Sequence, residues 1–244
     1  MRNYIIRRII WIIPVILVVT LVVFSVSRVL PGNPVYLILG NQQASQEAID
    51  KLTEKMGLDK PIITQYLIYL KDLSKGDFGD AWHTGNPVLV DLMARFPATL
   101  ELALISLFLA IIIGIPLGVF SSVYLNSFWD HLTRVFGFIG LSIPSFWLGL
   151  VLSYILAFNL QLLPAPIGRI GFSFSPPTNV TGLYLVDSLL DGDFNAFKSS
   201  LSYLILPSIT LALGQIAGIA GIVRSSMIEA LNSDYIRTSY AYGV

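Results

Sequence analysis

Charged residues are spaced so widely along this chain that four long apolar stretches separate them. No Asp, Glu, Lys or Arg lies between Arg8 and Arg28, between Glu101 and Asp130, between Arg134 and Arg169, or between Lys198 and Arg224. A bilayer core about 30 Å thick needs roughly 20 apolar helical residues, and each interval is long enough. The stretches lack barrel-like alternation, and within lipid only a helix satisfies its own backbone hydrogen bonds without closing a barrel. The pattern predicts four transmembrane helices, near residues 9–30, 100–124, 135–160 and 201–223. Pro164, Pro166 and Gly168 mark the point where the third helix has ended. Pro14, Pro116, Pro144 and Pro207 fall inside or at the ends of spans, where neighbours must satisfy the carbonyl that each one frees.

Arg2, Arg7 and Arg8 precede the first stretch. The apolar run after them is too long for a signal core, and no small-x-small cleavage site follows it, so an uncleaved anchor is predicted. Short cytoplasmic segments carry an excess of Lys and Arg, which places the N-terminus inside. Alternating spans then put 31–98 and 161–200 outside, and 123–134 and the tail from Arg224 inside. The 31–98 stretch patterns as small helices. Ser45 can cap a helix carrying Ile49, Leu52 and Met56, with Gly57 as its stop. Pro61 suits the first turn of a second, with Ile62, Ile63, Tyr66, Leu67, Leu70 and Leu73 on one broad face. Gly76-Asp77-Phe78-Gly79 then breaks the chain into turns, and 87–96 patterns as a third short helix.

Composition agrees with a lipid solvent. The chain of 244 residues is 55% hydrophobic and only 12% charged, and its mean hydropathy is +0.73. That charged share is about half that of an average soluble domain. Fifteen basic and fifteen acidic residues cancel, so no charge excess points to a nucleic-acid partner. The absence of cysteine excludes disulfides, thiolate metal sites and cysteine nucleophiles.

Catalytic patterns are lacking as well. There is no G-x-x-x-x-G-K-[ST] loop for ATP and no G-x-S-x-G. His83 and His131 fall on opposite sides of the predicted membrane, so neither a metal site nor a histidine pair is expected. Polar groups within spans are the better leads, because they are costly in lipid and face a bundle interior or a cavity. Gln215 is mid-span between Gly214 and Gly218, and Ser142, Ser145 and Asn159 share the third span. Each suits either helix packing or lining of a path. Glu101 is predicted in the first turn of the second span, where a carboxylate meets the positive end of the helix dipole.

Several segments, in order, resemble the inner-membrane permease subunits of ABC importers for dipeptides, oligopeptides and nickel. Tyr4-Ile5-Ile6-Arg7-Arg8 leads into the first span, and Leu30-Pro31-Gly32-Asn33-Pro34 is similar to that family's L-P-G-D-P. Gly57-Leu58-Asp59-Lys60-Pro61, Gly76-Asp77-Phe78-Gly79 and Arg95-Phe96-Pro97-Ala98-Thr99-Leu100-Glu101-Leu102 follow. Gly140-Leu141-Ser142-Ile143-Pro144-Ser145-Phe146-Trp147 resembles its most recognisable membrane segment. The tail Asp234-Tyr235-Ile236-Arg237-Thr238-Ser239-Tyr240-Ala241-Tyr242-Gly243 resembles the first half of the cytoplasmic E-A-A-x-x-x-G loop, with Ser239 and Tyr242 in place of the usual Ala and Lys.

The resemblance implies an all-α polytopic bundle of the type I importer permease kind with a small helical extracytoplasmic insertion. Its parts would be 1–30 (cytoplasmic N-terminus and first span), 31–98 (outer helices), 99–225 (three further spans) and 226–244 (start of the coupling loop). In that family the rest of the loop and two further spans follow. It implies coupling to an ATPase through Glu229, Asp234, Tyr235, Ile236, Arg237, Thr238, Ala241 and Gly243. It also implies a translocation path near Ser142, Pro144, Ser145 and Gln215, and binding-protein docking near Asp77, Phe78 and Trp82. The expected partners are a homologous permease subunit, two ATPase subunits that carry ATP and Mg, an extracytoplasmic substrate-binding protein and membrane lipid. The chain itself would hold no cofactor and catalyse no reaction in the bacterial cytoplasmic membrane. Peptides (dipeptides or oligopeptides) are the expected cargo, carried by alternating access, with nickel or oligosaccharides as the alternatives in the same family. An ion-coupled transporter would carry ionisable groups deep in its spans, and none is deep here; a membrane scaffold without transport is the other class the spans admit.

Overall fold

The computed structural model describes residues 2–29, 35, 45–55, 57–81 and 83–243. The Leu30-Pro31-Gly32-Asn33-Pro34 segment and Trp82 therefore lie outside the described residues. The chain divides into two compact units, Met1–Ala94 and Arg95–Val244.

In the first unit, α1 (Arg2–Val29) contains Pro14, and among its described residues only Phe24 is buried. Helix α2 (Gln46–Lys55) starts directly after Ser45, and Gly57 behind it has a φ of 63°. Helix α3 (Ile62–Ser74) follows Pro61 and rests on α1. The Phe24 ring lies 5.3 Å from Tyr66 and 5.9 Å from Tyr69, and the Tyr66 hydroxyl donates to the Leu17 carbonyl at 3.1 Å. The single apolar face predicted for α3 is split: Tyr66, Leu70 and Leu73 are half-buried, whereas Ile62, Ile63 and Leu67 stay exposed. Beyond α3 the predicted turns are present, with the Gly79 amide donating to the Asp77 carboxylate at 2.9 Å.

Helix α4 (Val88–Val123) is 36 residues long, and this corrects two expectations. The predicted short helix at 87–96 and the second span are one continuous helix through Pro97. Glu101 is consequently well inside its own helix, away from that helix's N-terminus.

The third span is broken where a single helix was predicted. Helix α5 (Phe128–Ser142) and α6 (Ser145–Leu152), which runs on as a π-helical segment (Ser153–Asn159), meet at a bend of 102°. The cause is local. Pro144 has no amide to donate, and the residue before a proline is driven from helical to extended backbone. Ile143 accordingly sits at φ −83°, ψ 124°. Helix α7 (Tyr184–Leu190) precedes α8 (Phe194–Leu231), which is 38 residues long and contains Pro207. Helix α9 (Asp234–Ala241) closes the described chain.

Polarity is inverted in the second unit. The buried residues of α4 include Ser106, Ala110, Gly114, Gly118 and Ser122, every fourth position and all small. The matching series on α8 is Ala196, Ser200, Leu204, Ser208 and Ala212. Large apolar side chains such as Phe108, Phe138, Phe146 and Leu150 face outward. Small residues inside and apolar bulk outside is the arrangement of helices packed within lipid, where close backbone approach replaces a hydrophobic core. The buried hydroxyls of Ser106 and Thr210 donate to the carbonyls of Leu102 and Leu206 one turn back.

Among the described residues, three helices are long and apolar enough to cross a membrane, and a fourth span results if the bent pair counts as one. Packing supports four. Gly114 lies against Ile216 and Ile219, and Gly118 against Ala220 and Val223, so α4 and α8 run parallel. Gly140 lies against Leu213, whereas Asp130 meets Arg224, so α5 runs opposite to both. That alternation is what successive crossings require.

Candidate functional site

Two buried ion pairs mark the two ends of the second unit. Glu101 and Ser121 are twenty positions apart on α4, about 30 Å at 1.5 Å per residue, which is the thickness of a bilayer core.

At the first end, the Arg169 guanidinium donates to Glu101 at 2.7 Å and to the Gly182 carbonyl at 2.8 Å. It lies 3.7 Å from the centroid of the Tyr184 ring. The other Glu101 oxygen accepts from the Leu185 amide at 2.7 Å. Gly182 (φ 77°) sits so close to Pro97 that a Cβ there would fall 2.8 Å from the proline ring. The Gly182 amide also donates to Asp187, which accepts the Thr181 hydroxyl and amide as well. Burial pushes the Asp187 carboxyl upward, but the hydrogen bonds from Thr181 and from backbone amides outweigh it and hold its pKa below the usual aspartate value. The stability this supplies is full above the unfolded aspartate pKa of about 3.9 and is lost as pH falls through the lower folded value. Amide exchange at Thr181 and Gly182 is therefore expected to stay slow at pH 5 and to speed up, relative to mid-helix amides of α8, only in stronger acid. Equal acceleration of both between pH 6 and 5 would contradict the assignment.

At the second end, the fully buried Asp130 carboxylate takes four hydrogen bonds. One oxygen accepts from Ser121 at 2.5 Å and Arg224 Nε at 2.7 Å; the other accepts from the Asn126 amide at 3.0 Å and Arg224 Nη2 at 2.9 Å. Asn126 has a φ of 60°, and Ser127 caps α5 by accepting from the Asp130 amide. One carboxylate thus joins the end of α4, the α4–α5 turn, the start of α5 and α8. Neither pair was anticipated from the sequence. Their signal was present, however, because these four residues are among the charges that bound the apolar intervals.

The terminal segment is helical. Asp234, Tyr235, Ile236, Arg237 and Thr238 lie on α9 with Ala241 at its end, and Gly243 follows with a φ of 77°. Tyr235, Arg237, Thr238 and Ala241 are exposed, and so is Glu229 on the last turns of α8. Ser142, Pro144 and Ser145 come together, exposed, at the α5–α6 break, while Gln215 is exposed on α8. Asp77 and Phe78 are exposed in the turn after α3. No group of three or more metal-ligating side chains exists among the described residues.

Long helices with small, polar interiors and a bare apolar exterior define a multi-pass membrane protein. The chain belongs to the binding-protein-dependent transport system inner membrane component family, which matches residues 114–244; the N-terminal component of the same systems matches residues 1–103. Its relatives include the "Probable D,D-dipeptide transport system permease protein DdpB" of Escherichia coli strain K12, 44% identical over 93% of this chain and 66% of the relative. The dipeptide transport system permease protein DppB of Alkalihalophilus pseudofirmus is 42% identical over 100% of the chain and 72% of its own length. The oligopeptide transport system permease protein AppB of Bacillus subtilis strain 168 is 38% identical over 100% and 71%. The chain thus spans about two thirds to just under three quarters of these relatives.

Proposed function

We propose that this chain is the pore-forming part of a permease subunit in an ATP-driven importer of peptides, held in the bacterial cytoplasmic membrane with its N-terminus in the cytoplasm. The observation that carries the reading is α9. It is a short helix with a polar, exposed surface directly after a long apolar span, in a chain whose relatives are named as dipeptide and oligopeptide permeases. Its partners are a homologous permease subunit, two ATPase subunits that carry ATP and Mg, and an extracytoplasmic binding protein that delivers cargo near Asp77 and Phe78. Nucleotide-driven closure of the ATPases moves α9, and the spans pass between outward and inward access. The chain is a two-state element whose equilibrium both nucleotide and the loaded binding protein bias; it performs no covalent chemistry.

Co-purification with an ATP-hydrolysing subunit, followed by assay in proteoliposomes, tests this. Loaded binding protein and a di- or oligopeptide are expected to stimulate ATP hydrolysis and uptake. Stimulation by nickel or an oligosaccharide, and not by peptide, would overturn the cargo assignment. Absence of any ATPase partner would overturn the importer itself.

Two residue-level outcomes follow. Replacing Ala241 or Gly243 with tryptophan lowers stimulated hydrolysis and transport by at least about fivefold, the low end of an allosteric coupling. Gly243 adds backbone strain, because its positive φ disfavours any side chain. Unchanged values in a normally assembled complex would count against α9 as the coupling element. For the path, cysteine placed singly at Ser142, Ser145 or Gln215 is expected to react with a water-soluble thiol reagent in at least one transport state. Inertness in every state would remove these residues from the path.

A further inference from the structure

We infer that Asp130 and Arg224 are positioning residues that fix α9 to the α4–α5 turn, so that a displacement of α9 reaches α5 together with α8. The inference deepens the importer reading and rests on it for its functional consequence.

The first argument is mechanical. Arg224 lies seven positions before Leu231, the end of α8, about two helical turns. Past Arg224, most of α8 loses its cover: Ser225, Ser226, Glu229 and Leu231 are all exposed. The joint to α9 is short and tied by its own bonds, from the Asn232 amide to Ile228 and from the Ser233 hydroxyl to Ala230. Ile236 and Arg237 then donate back to Ser233. The α9 segment therefore follows the direction of α8, and the last deeply buried polar anchor on α8 before that joint is the Arg224–Asp130 fork.

The second argument is chemical. A carboxylate has about four acceptor sites, and Asp130 uses them on Ser121, Asn126 and both arms of Arg224. Two parallel N–H donors from one guanidinium fix an angle as well as a distance, which an ammonium cannot do. Arg134 adds a weaker approach at 3.7 Å from the next turn of α5. A well-packed apolar pair would hold these helices at least as firmly as a buried ion pair, so a fork onto a fully buried carboxylate is better explained by the register it imposes than by stability.

The third argument is placement. Asp130 joins the end of α4, the α4–α5 turn, the start of α5 and α8, the helix that leads into α9. At the opposite end, Glu101 and Arg169 tie α4 to the loop and first turn of α7. A push on α9 that is carried along α8 is therefore passed by the fork to α5 and to the α4–α5 turn.

The test uses the cysteine-free sequence and the assembled complex. Spin labels go on Val135→Cys of α5 and Tyr242→Cys just past α9, both exposed. With Asp130 and Arg224 intact, one narrow distance distribution is expected in each nucleotide state. Arg224→Lys keeps the charge and removes the fork, and Asp130→Asn keeps the shape and removes the charge. Either is expected to broaden the distribution and to lower transport per ATP hydrolysed by at least about fivefold, with assembly and basal hydrolysis retained. An unchanged distance distribution in both variants overturns the inference, whatever the ATPase does. Proportional loss of assembly, hydrolysis and transport overturns it too, because that is a purely structural role. If the unaltered complex shows no coupling to an ATPase, the importer reading fails while the distances still decide the positioning role.

Discussion

Gly118→Leu is expected to leave no folded protein, and even Gly118→Ala is expected to be clearly destabilised. An alanine in a helix interior normally gains about 0.5–1 kcal/mol over glycine. Here the added Cβ would lie 2.7 Å from the Ala220 carbonyl oxygen and 2.7 Å from Val223 Cβ. Neither atom is the flexible end of a side chain, so α4 would have to move off α8. Overpacking of this kind costs about 1–3 kcal/mol, which outweighs the propensity gain. Gly114→Ala provides the graded comparison, because its Cβ would first meet Ile219 Cγ2 at 3.0 Å, and that side chain can give. Gly221→Ala, with nothing within 4 Å, is the reference for propensity alone. Thermal unfolding of the purified chain in detergent should rank Gly118→Ala well below Gly114→Ala, with Gly221→Ala at or above the parent. A Gly118→Ala protein as stable as the parent would mean that α4 and α8 do not pack as described.

The same contact shows how much of this fold was legible in the sequence. Membrane spans come from composition and charge spacing, so the first and last spans were located to within a few residues at their apolar cores. Breaks inside a span depend on geometry. Pro97 and Pro144 look alike in sequence, yet α4 runs through the first and the chain bends by 102° at the second. For the candidate site, the terminal segment stood out through its resemblance to the E-A-A-x-x-x-G loop, since a polar stretch after an apolar one is by itself an ordinary interfacial segment. The ion pairs were not, because pairing Glu101 with Arg169 or Asp130 with Arg224 requires knowing which span ends meet. A charge-by-depth argument could have found them: with alternating spans, each pair shares one side of the membrane and has opposite sign. Asp187 was hidden for a different reason. Its partners are mostly backbone amides of Thr181 and Gly182, and these leave no trace in residue identity.

Arg169→Ala is expected to destabilise the second unit more than Glu101→Gln, although the two remove the same ion pair. Glu101 is 4% exposed, so losing Arg169 strands a buried carboxylate with only the Leu185 amide for compensation. Breaking a buried pair this way costs about 3–5 kcal/mol, and the lower end applies because 25% of the Arg169 side chain meets solvent. Glu101→Gln keeps an acceptor for Leu185, and Arg169 keeps the Gly182 carbonyl and the Tyr184 ring. Its loss should be about 1.5–3 kcal/mol, the range for a hydrogen bond to a charged group. The double variant Glu101→Leu with Arg169→Met should be more stable than Arg169→Ala alone, since an apolar pair of similar volume replaces a buried ion pair at little or no cost. Unfolding midpoints of the three proteins in one detergent and one salt concentration decide this. Equal midpoints for the two single variants, or a double variant no better than Arg169→Ala, would show that Glu101 is hydrated and that the buried latch at this end of the bundle does not form.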